Sequence, residues 1–294
     1  MIQLADRRMG SSVVWAAVLG IFALLALAPV LLTFVNSFMT AREIEQNYGL
    51  IGQLEASGPG KQAFGNLKLT PDWVTFEQYA QLLLWNPKFM NMFWHLTGMV
   101  APIIAGHTVV ASLAAYAFAR LRFRGRDKLF LVYVMTMLLP FQVTLVPNYL
   151  IVERFGLMNT EAAIVLPGIF GVFGVFMLRQ FMLQIPQALT EAAALDGAGH
   201  TAIFARIVLP LTRPGLAALM CLLFVDYWNM VEQPLVFLTD AARQPLSLYL
   251  AQLGQQAKEV SFAASVLYMA PMVLLFLYAE TYFTQGIQHS GLKG

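Results

Sequence analysis

The chain is 294 residues long, 59% hydrophobic and only 12% charged, a balance that excludes an ordinary soluble domain and points to a membrane protein. A net charge of +2 gives no argument for nucleic acid, and the single cysteine, Cys221, leaves no disulfide framework and no thiol ligand cluster. The four histidines, His95, His107, His200 and His289, lack metal-ligand spacing and read as isolated polar positions.

Asp6, Arg7 and Arg8 precede an apolar segment from about Val13 to Val35, long enough to cross a hydrocarbon core of about 30 Å. Ala26-Leu27-Ala28 resembles a cleavage site, but Pro29 follows it and the apolar run continues, which favours an uncleaved first span. The polar stretch beyond contains Gly58-Pro59-Gly60-Lys61. Gln62 follows that lysine, Glu55 stands where a leading glycine belongs and no strand precedes it, so it reads as an exposed turn rather than a phosphate loop. Thr75 with Gln78 makes a capping box ahead of Tyr79, Leu82 and Leu83, predicting a short helix on the membrane surface.

A second span, about Met92 to Phe118, is rich in the small residues that let helices pack closely in lipid. It ends in Arg120, Arg122, Arg124, Arg126 and Lys128, the strongest topological signal in the chain, because short cytoplasmic loops concentrate Lys and Arg. The third span, about Leu129 to Val152, carries Pro140, Gln142, Pro147 and Asn148. Proline loosens a helix, and a side-chain amide in lipid is costly unless it faces a cavity or a partner, so this helix is a candidate pathway wall. A fourth span covers about Ala162 to Phe181, a fifth about Pro214 to Val236 with Asp226, Trp228, Asn229 and Gln233, and a sixth about Phe262 to Phe283. The fold predicted is all-α and polytopic, with six transmembrane helices over residues 13–284, a short leading segment over 1–12, an outer loop near 36–91 and a tail over 285–294.

Between spans four and five, the segment Glu191 to Pro214 reads as two short helices around a Gly hinge. Pro186 and Thr190 are candidate first-turn residues, and Glu191 lies near the positive end of the helix dipole. Gly197 and Gly199 break the first helix. Ile203, Phe204, Ile207 and Val208 form one side of the second, which runs up to Pro210 and Pro214 as stops. Small side chains at Ala192, Ala193 and Ala198 allow another surface to approach closely, which suits a docking helix.

The order Glu191, Ala192, Ala193, Asp196, Gly197, Ala198, Phe204, Ile207, Leu209, Pro210, Pro214 resembles the EAA loop of permease subunits of bacterial ABC importers, most closely the carbohydrate (maltose-type) branch. Met137 to Pro167, the run VFMLRQFMLQIPQALTEAA and the ending QGIQHSGLKG are similar to the same family, so the likeness covers about Met137 to Gly294 closely and the first half in outline. One departure is His95-Leu96, where many members carry an Asn-Ser pair. The resemblance implies that the loop, about residues 182–213, inserts into a cleft on a cytoplasmic ATPase and transmits its closure, with Glu191, Ala192, Ala193, Asp196, Gly197, Leu209 and Pro210 as coupling residues. Glu191 would act through polar contacts, and Gly197 through a turn or a close approach that a Cβ would block. It also implies a second permease subunit, two ATPases that bind ATP and Mg, and an extracytoplasmic solute-binding protein, with no cofactor on this chain itself.

The resemblance implies the bacterial inner membrane, and the charge distribution over six spans puts both termini on its cytoplasmic side. Arg7, Arg8, the cluster from Arg120 to Lys128, Arg179, Arg206, Arg213 and Lys293 fall inside, whereas outer loops mix Lys61, Lys68, Lys88, Arg154 and Lys258 with many acids. This puts the Glu191 loop on the side where an ATPase would reach it. No G-x-x-x-x-G-K-[ST] motif is present, so energy must arrive in trans and the chain is not expected to be an enzyme. Phe141, Gln142, Asn148, Tyr149, Asp226, Trp228 and Asn229 are candidate pathway residues, since carbohydrates are bound by aromatic faces with amide and carboxylate groups. Packing or an interfacial belt is the competing reading of the aromatics, and helix contact that of Asp226. A glycerol-phosphate or polyamine permease, an ion-coupled secondary transporter and a membrane scaffold remain as alternatives.

Overall fold

Every regular element among the described residues of the computed structural model is helical; these residues are 2–48, 68–85, 87–241, 243–250 and 258–291. The turn expected at Gly58 to Lys61 lies outside them. The chain forms two compact units, Met1–Phe89 with Leu250–Met269, and Met90–Tyr249 with Ala270–Gly294.

In the first unit, helix α1 (Ile2–Asn36) runs through Pro29, and its stretch Trp15–Asn36 is apolar enough to cross a membrane. Helix α2 (Ala41–Tyr48) follows, then α3 (Glu77–Ala80), which continues as a π-helical turn over Gln81–Trp85. The short helix expected after Thr75 is present, but the capping box is not. Thr75 Oγ1 accepts from the Glu77 amide at 3.1 Å, while Gln78 is buried and turned to another task. Its Nε2 donates to the Asn36 and Met39 carbonyls at 3.1 and 2.8 Å, and its Oε1 accepts from the Ala263 amide at 3.3 Å. A helix end leaves carbonyls without partners, and serving them in a buried setting is worth more than a cap on an exposed turn. Nearby, Lys68 pairs with Asp72 and, at 2.7 Å, with the buried Glu43; these bonds, that to Asp72 first, push its pKa above the ordinary lysine value.

The second unit is assembled on α4 (Pro87–Arg120). Its stripe Ala111, Ala115, Ala119 repeats every four residues and so lies on one face. That face meets Val175, Leu178 and Met182 in a core cluster that also takes in Ile203, Val208, Leu219 and Leu223. The third expected span is not one helix. It consists of α5 (Arg126–Met135), a 3-10 turn over Thr136–Leu138 and α6 (Phe141–Arg154), with a 100° bend between the two arms. Leu139 is extended, at φ −73° and ψ 119°, because the ring of Pro140 disfavours the helical conformation in the residue before it. Pro147 lies inside α6 without breaking it.

Span four is α7 (Ala162–Ile169) followed by α8 (Val172–Gln184), parted at an extended Gly171 but continuous enough to count as a single crossing. Helix α9 (Gln187–Leu195) and α10 (His200–Ile203) then lead through a π-helical turn, Phe204–Val208, into α11 (Leu209–Leu211), α12 (Arg213–Trp228) and α13 (Glu232–Phe237). The last helix, α14 (Lys258–Gly291), carries the tail expected from residue 285 as far as Gly291. Four continuous stretches and two bent pairs satisfy the length and apolarity of a span, giving six crossings when each pair is one.

The second helix expected in the Glu191 to Pro214 segment ends between its two prolines. Pro210 lies inside the helical run His200–Leu211 without stopping it, and Pro214 stands in the first turn of α12, where a missing N–H costs nothing. The break falls at Thr212, with a 73° bend, because Pro214 cannot donate to the Pro210 carbonyl. Span five also ends earlier than Val236. Asn229 Nδ2 bonds the Val225 carbonyl at 2.7 Å, and Pro234 supplies no amide for Met230, so the helix closes at Trp228 and restarts at Glu232.

Candidate functional site

Residues 187–211 form an elbow of two dissimilar arms. The first arm, α9, is exposed: none of its residues is buried, Leu195 is 90% exposed, and Glu191 accepts at Oε1 from Gln187 Nε2 at 2.9 Å. Of its small residues, Ala193 and Ala198 touch the core cluster while Ala192 faces out. Asp196 closes the helix and is exposed. The turn then hinges on Gly197, whose φ of +86° is one that side chains resist, while a Cβ there meets nothing within 4 Å. The requirement within this chain is therefore the turn, not the space.

The second arm is rooted. Ile203 and Val208 are buried, Phe204 lies 5.1 Å from the Tyr116 ring between centroids, and Tyr116 Oη donates to the His200 carbonyl at 3.2 Å. Leu209 and Pro210 are half-buried where the arm enters α12. The base of the elbow is tied by a reciprocal exchange. Arg120, in the last turn of α4, donates to the Met182 and Ile185 carbonyls that end α8, and Arg179 of α8 returns a bond to the Phe118 carbonyl at 3.3 Å while lying 4.0 Å over the Phe130 ring. Each guanidinium sits where a helix C-terminus carries partial negative charge.

A hollow of about 660 Å³ opens at the break between α12 and α13. Phe141, Asp226, Asn229, Glu232 and Gln233 are among its lining residues. Gln142 Nε2 reaches across to Glu232 at 3.3 Å, which joins the start of α6 to the start of α13.

With this geometry, the comparisons with known proteins are specific. The family model described as binding-protein-dependent transport system inner membrane component matches residues 107–289. The chain belongs to this family. It is the non-catalytic permease of a binding-protein-dependent importer, a multi-pass inner-membrane subunit. The permease is 28% identical over 286 residues to the arabinooligosaccharides transport system permease protein AraQ of Halalkalibacterium halodurans, covering 95% of this chain and 96% of that one. It is 25% identical to the polygalacturonan/rhamnogalacturonan transport system permease protein YtcP of Bacillus subtilis, with 93% and 94% covered, and 26% identical to the sn-glycerol-3-phosphate transport system permease protein UgpE of Brucella abortus, with 96% and 98% covered. Its fold matches a chain of a bacterial ABC transporter involved in the import of the acidic polysaccharide alginate, with a TM-score of 0.76 at 24% identity over 95% of this chain and 98% of that one.

In the permease, the structure brings Phe141, Asp226 and Asn229 together around the hollow, with Gln142 beside it. It does not bring in Trp228, which is 2% exposed, stacked on Phe224 at 4.9 Å and edge-on to Phe93 at 5.6 Å. Tyr149 packs against the core cluster around Met99 and Ile103, and Asn148 sits half-buried one residue before it. Glu232 was not legible as a pathway residue, because it fell inside a run assigned to span five as a whole. The departure at His95-Leu96 also has its explanation: Leu96 is fully buried and His95 Nδ1 lies 2.8 Å from Glu161 Oε1, linking α4 to the start of α7. His107 Nδ1 bonds the Gly168 carbonyl at 2.8 Å, a group that Tyr227 Oη also approaches at 3.3 Å, beside the break that interrupts span four.

Proposed function

We propose that this permease imports carbohydrate, is driven by a separate ATPase through the elbow at 187–211, and carries part of the solute pathway at the α12–α13 hollow. The observation that supports the drive is the asymmetry of the elbow: an exposed arm bearing Glu191, Ala192, Ala193 and Asp196, a left-handed turn at Gly197, and a second arm rooted in the core at Ile203 and Val208 just before Leu209 and Pro210. A lever needs one end free to engage and the other fixed to its load, with different contacts in two states. In this reading the ATPase holds ATP and Mg, a pair of such subunits closes on the elbows of this permease and a second permease, and the binding protein delivers solute from outside.

Carbohydrate is favoured by relatives that span nearly the whole chain and are named for transport of arabinooligosaccharides and of polygalacturonan/rhamnogalacturonan. The lining of the hollow supplies an aromatic face with amide and carboxylate acceptors, the chemistry sugars use. The basic cluster from Arg120 to Lys128 supports a cytoplasmic elbow and cytoplasmic termini. The test is Gly197→Val in the complete importer reconstituted with its ATPase and binding protein. Membrane level is expected to be normal while solute uptake and solute-stimulated ATP hydrolysis are lost. Normal uptake by that variant would end the lever reading.

A further inference from the structure

The relatives include transporters named for neutral, acidic and phosphorylated solutes, and the hollow carries a feature that separates these classes. Two carboxylates, Asp226 and Glu232, are exposed on its wall, and no Lys, Arg or His lines it among the described residues. Asp226 has no hydrogen-bond or ion-pair partner among the described residues, and Glu232 has only the uncharged amide of Gln142. We propose that Asp226 and Glu232 make the hollow selective for uncharged, hydroxyl-rich oligosaccharides and close it to uronates and phosphate esters. This rests on the reading of the hollow as a carbohydrate pathway and specifies it.

The argument is one of donors and acceptors. An ionised carboxylate only accepts hydrogen bonds, and a sugar hydroxyl always has a proton to give. The amides of Asn229 and Gln233 add further polar partners, and the buried Oε1 of Gln233 has no partner among the described residues. Phe141 offers a flat apolar face to the C–H side of a pyranose or furanose ring. A solute bearing carboxylate or phosphate would lie against two like charges with no guanidinium fork to receive it, the arrangement that sites for such anions supply. Rejection of the wrong solute by an unpaired charge is a recognised route to specificity, distinct from tighter binding of the right one.

The field in the hollow is read directly with Val231→Cys, a lining position, in the complete importer carrying Cys221→Ala. A cationic methanethiosulfonate should modify Cys at 231 roughly tenfold faster than an anionic one, after scaling to a free thiol, as focusing in an acidic cleft predicts. Asp226→Asn with Glu232→Gln, both isosteric, should bring that ratio close to one and raise uptake of trigalacturonate relative to arabinotriose. A ratio near one before the carboxylates are changed, or wild-type uptake of trigalacturonate or glycerol phosphate as fast as of arabinotriose, would overturn the selectivity. The pathway reading fails by a different result: a neutral thiol reagent that modifies position 231 fully yet leaves the uptake rate of that same variant unaltered.

Discussion

At Gly197 the backbone conformation and the free space around it point to different outcomes for different side chains. A φ of +86° costs an ordinary L-residue roughly 1–2 kcal/mol, whereas asparagine enters this region with far less penalty. Because a Cβ at 197 meets nothing within 4 Å among the described residues, uptake should fall in the order Gly, Asn, Ala, Val if the turn alone matters. An inactive Gly197→Asn alongside normal folding would instead mark a close approach by the ATPase. A second residue-scale prediction concerns His107. A Cβ on Gly171 would come within 2.4 Å of the His107 ring, to which the three nearest atoms all belong. Gly171→Ala should therefore lower the yield of folded protein, and adding His107→Ala should recover part of it by emptying the ring's place. His107→Ala alone leaves the Gly168 carbonyl with only the longer contact from Tyr227, and a thermal-denaturation assay should show a loss of about 1–3 kcal/mol. Equal melting of the single and double variants would remove the steric account.

At the scale of elements, the exchange between Arg120 and Arg179 binds the ends of α4 and α8 immediately before the elbow begins. Arg120→Met removes a charged donor from two carbonyls, so a loss of about 1.5–3 kcal/mol in thermal stability is expected, with less uptake per ATP hydrolysed. Arg120→Lys, which keeps the charge but not the fork, should fall between. An unchanged ratio of uptake to hydrolysis in Arg120→Met would limit this residue to stability. The Lys68 cluster gives a pH prediction of the same scale. Its folded-state pKa is raised, so its contribution is complete below the unfolded lysine value of about 10.5 and is lost only as pH rises through the folded value. Limited proteolysis near residue 68 should stay constant from pH 6 to about 10 and accelerate only above the ordinary lysine value. How far such elements were legible depended on where the deciding atom sat. Pro140 announced a weakness in span three, since its effect on Leu139 is local, but the 100° bend depends on how the two arms pack. The hinge at Gly197 was visible for the same local reason. Gln78 was misread, because its real partners lie at Asn36, Met39 and Ala263, distant in sequence. Glu232 was missed because nothing local tells where a helix bearing Asn229 and Pro234 will part, and only that parting opens the hollow.

For the whole molecule, the decisive quantity is the side of the membrane on which the elbow stands. Cationic side chains gather at Arg120, Arg122, Arg124, Arg126 and Lys128, two crossings away from Arg179 in the order of the chain, and the elbow adds Arg206 and Arg213. Short loops carrying such clusters are retained on the cytoplasmic side. On the proposed topology, an even number of crossings, six when each bent pair counts once, would return residues on either side of the bundle to that same side. Leu195 is the natural reporter, since it is 90% exposed at the tip of α9 and lies outside the core cluster. In a Cys221→Ala background, Leu195→Cys should react with a membrane-impermeant maleimide only in inverted vesicles, and the ATPase, once bound, should slow that reaction. Protection that grows when ATP is added would mean that the arm sits deeper in its partner in the closed state, the differential contact a lever requires. Labelling of intact cells from outside would reverse the topology and remove the ATPase from reach of Glu191, whatever the likeness of the surrounding sequence. Labelling from inside with no protection by the ATPase would keep the topology and move the point of engagement away from α9.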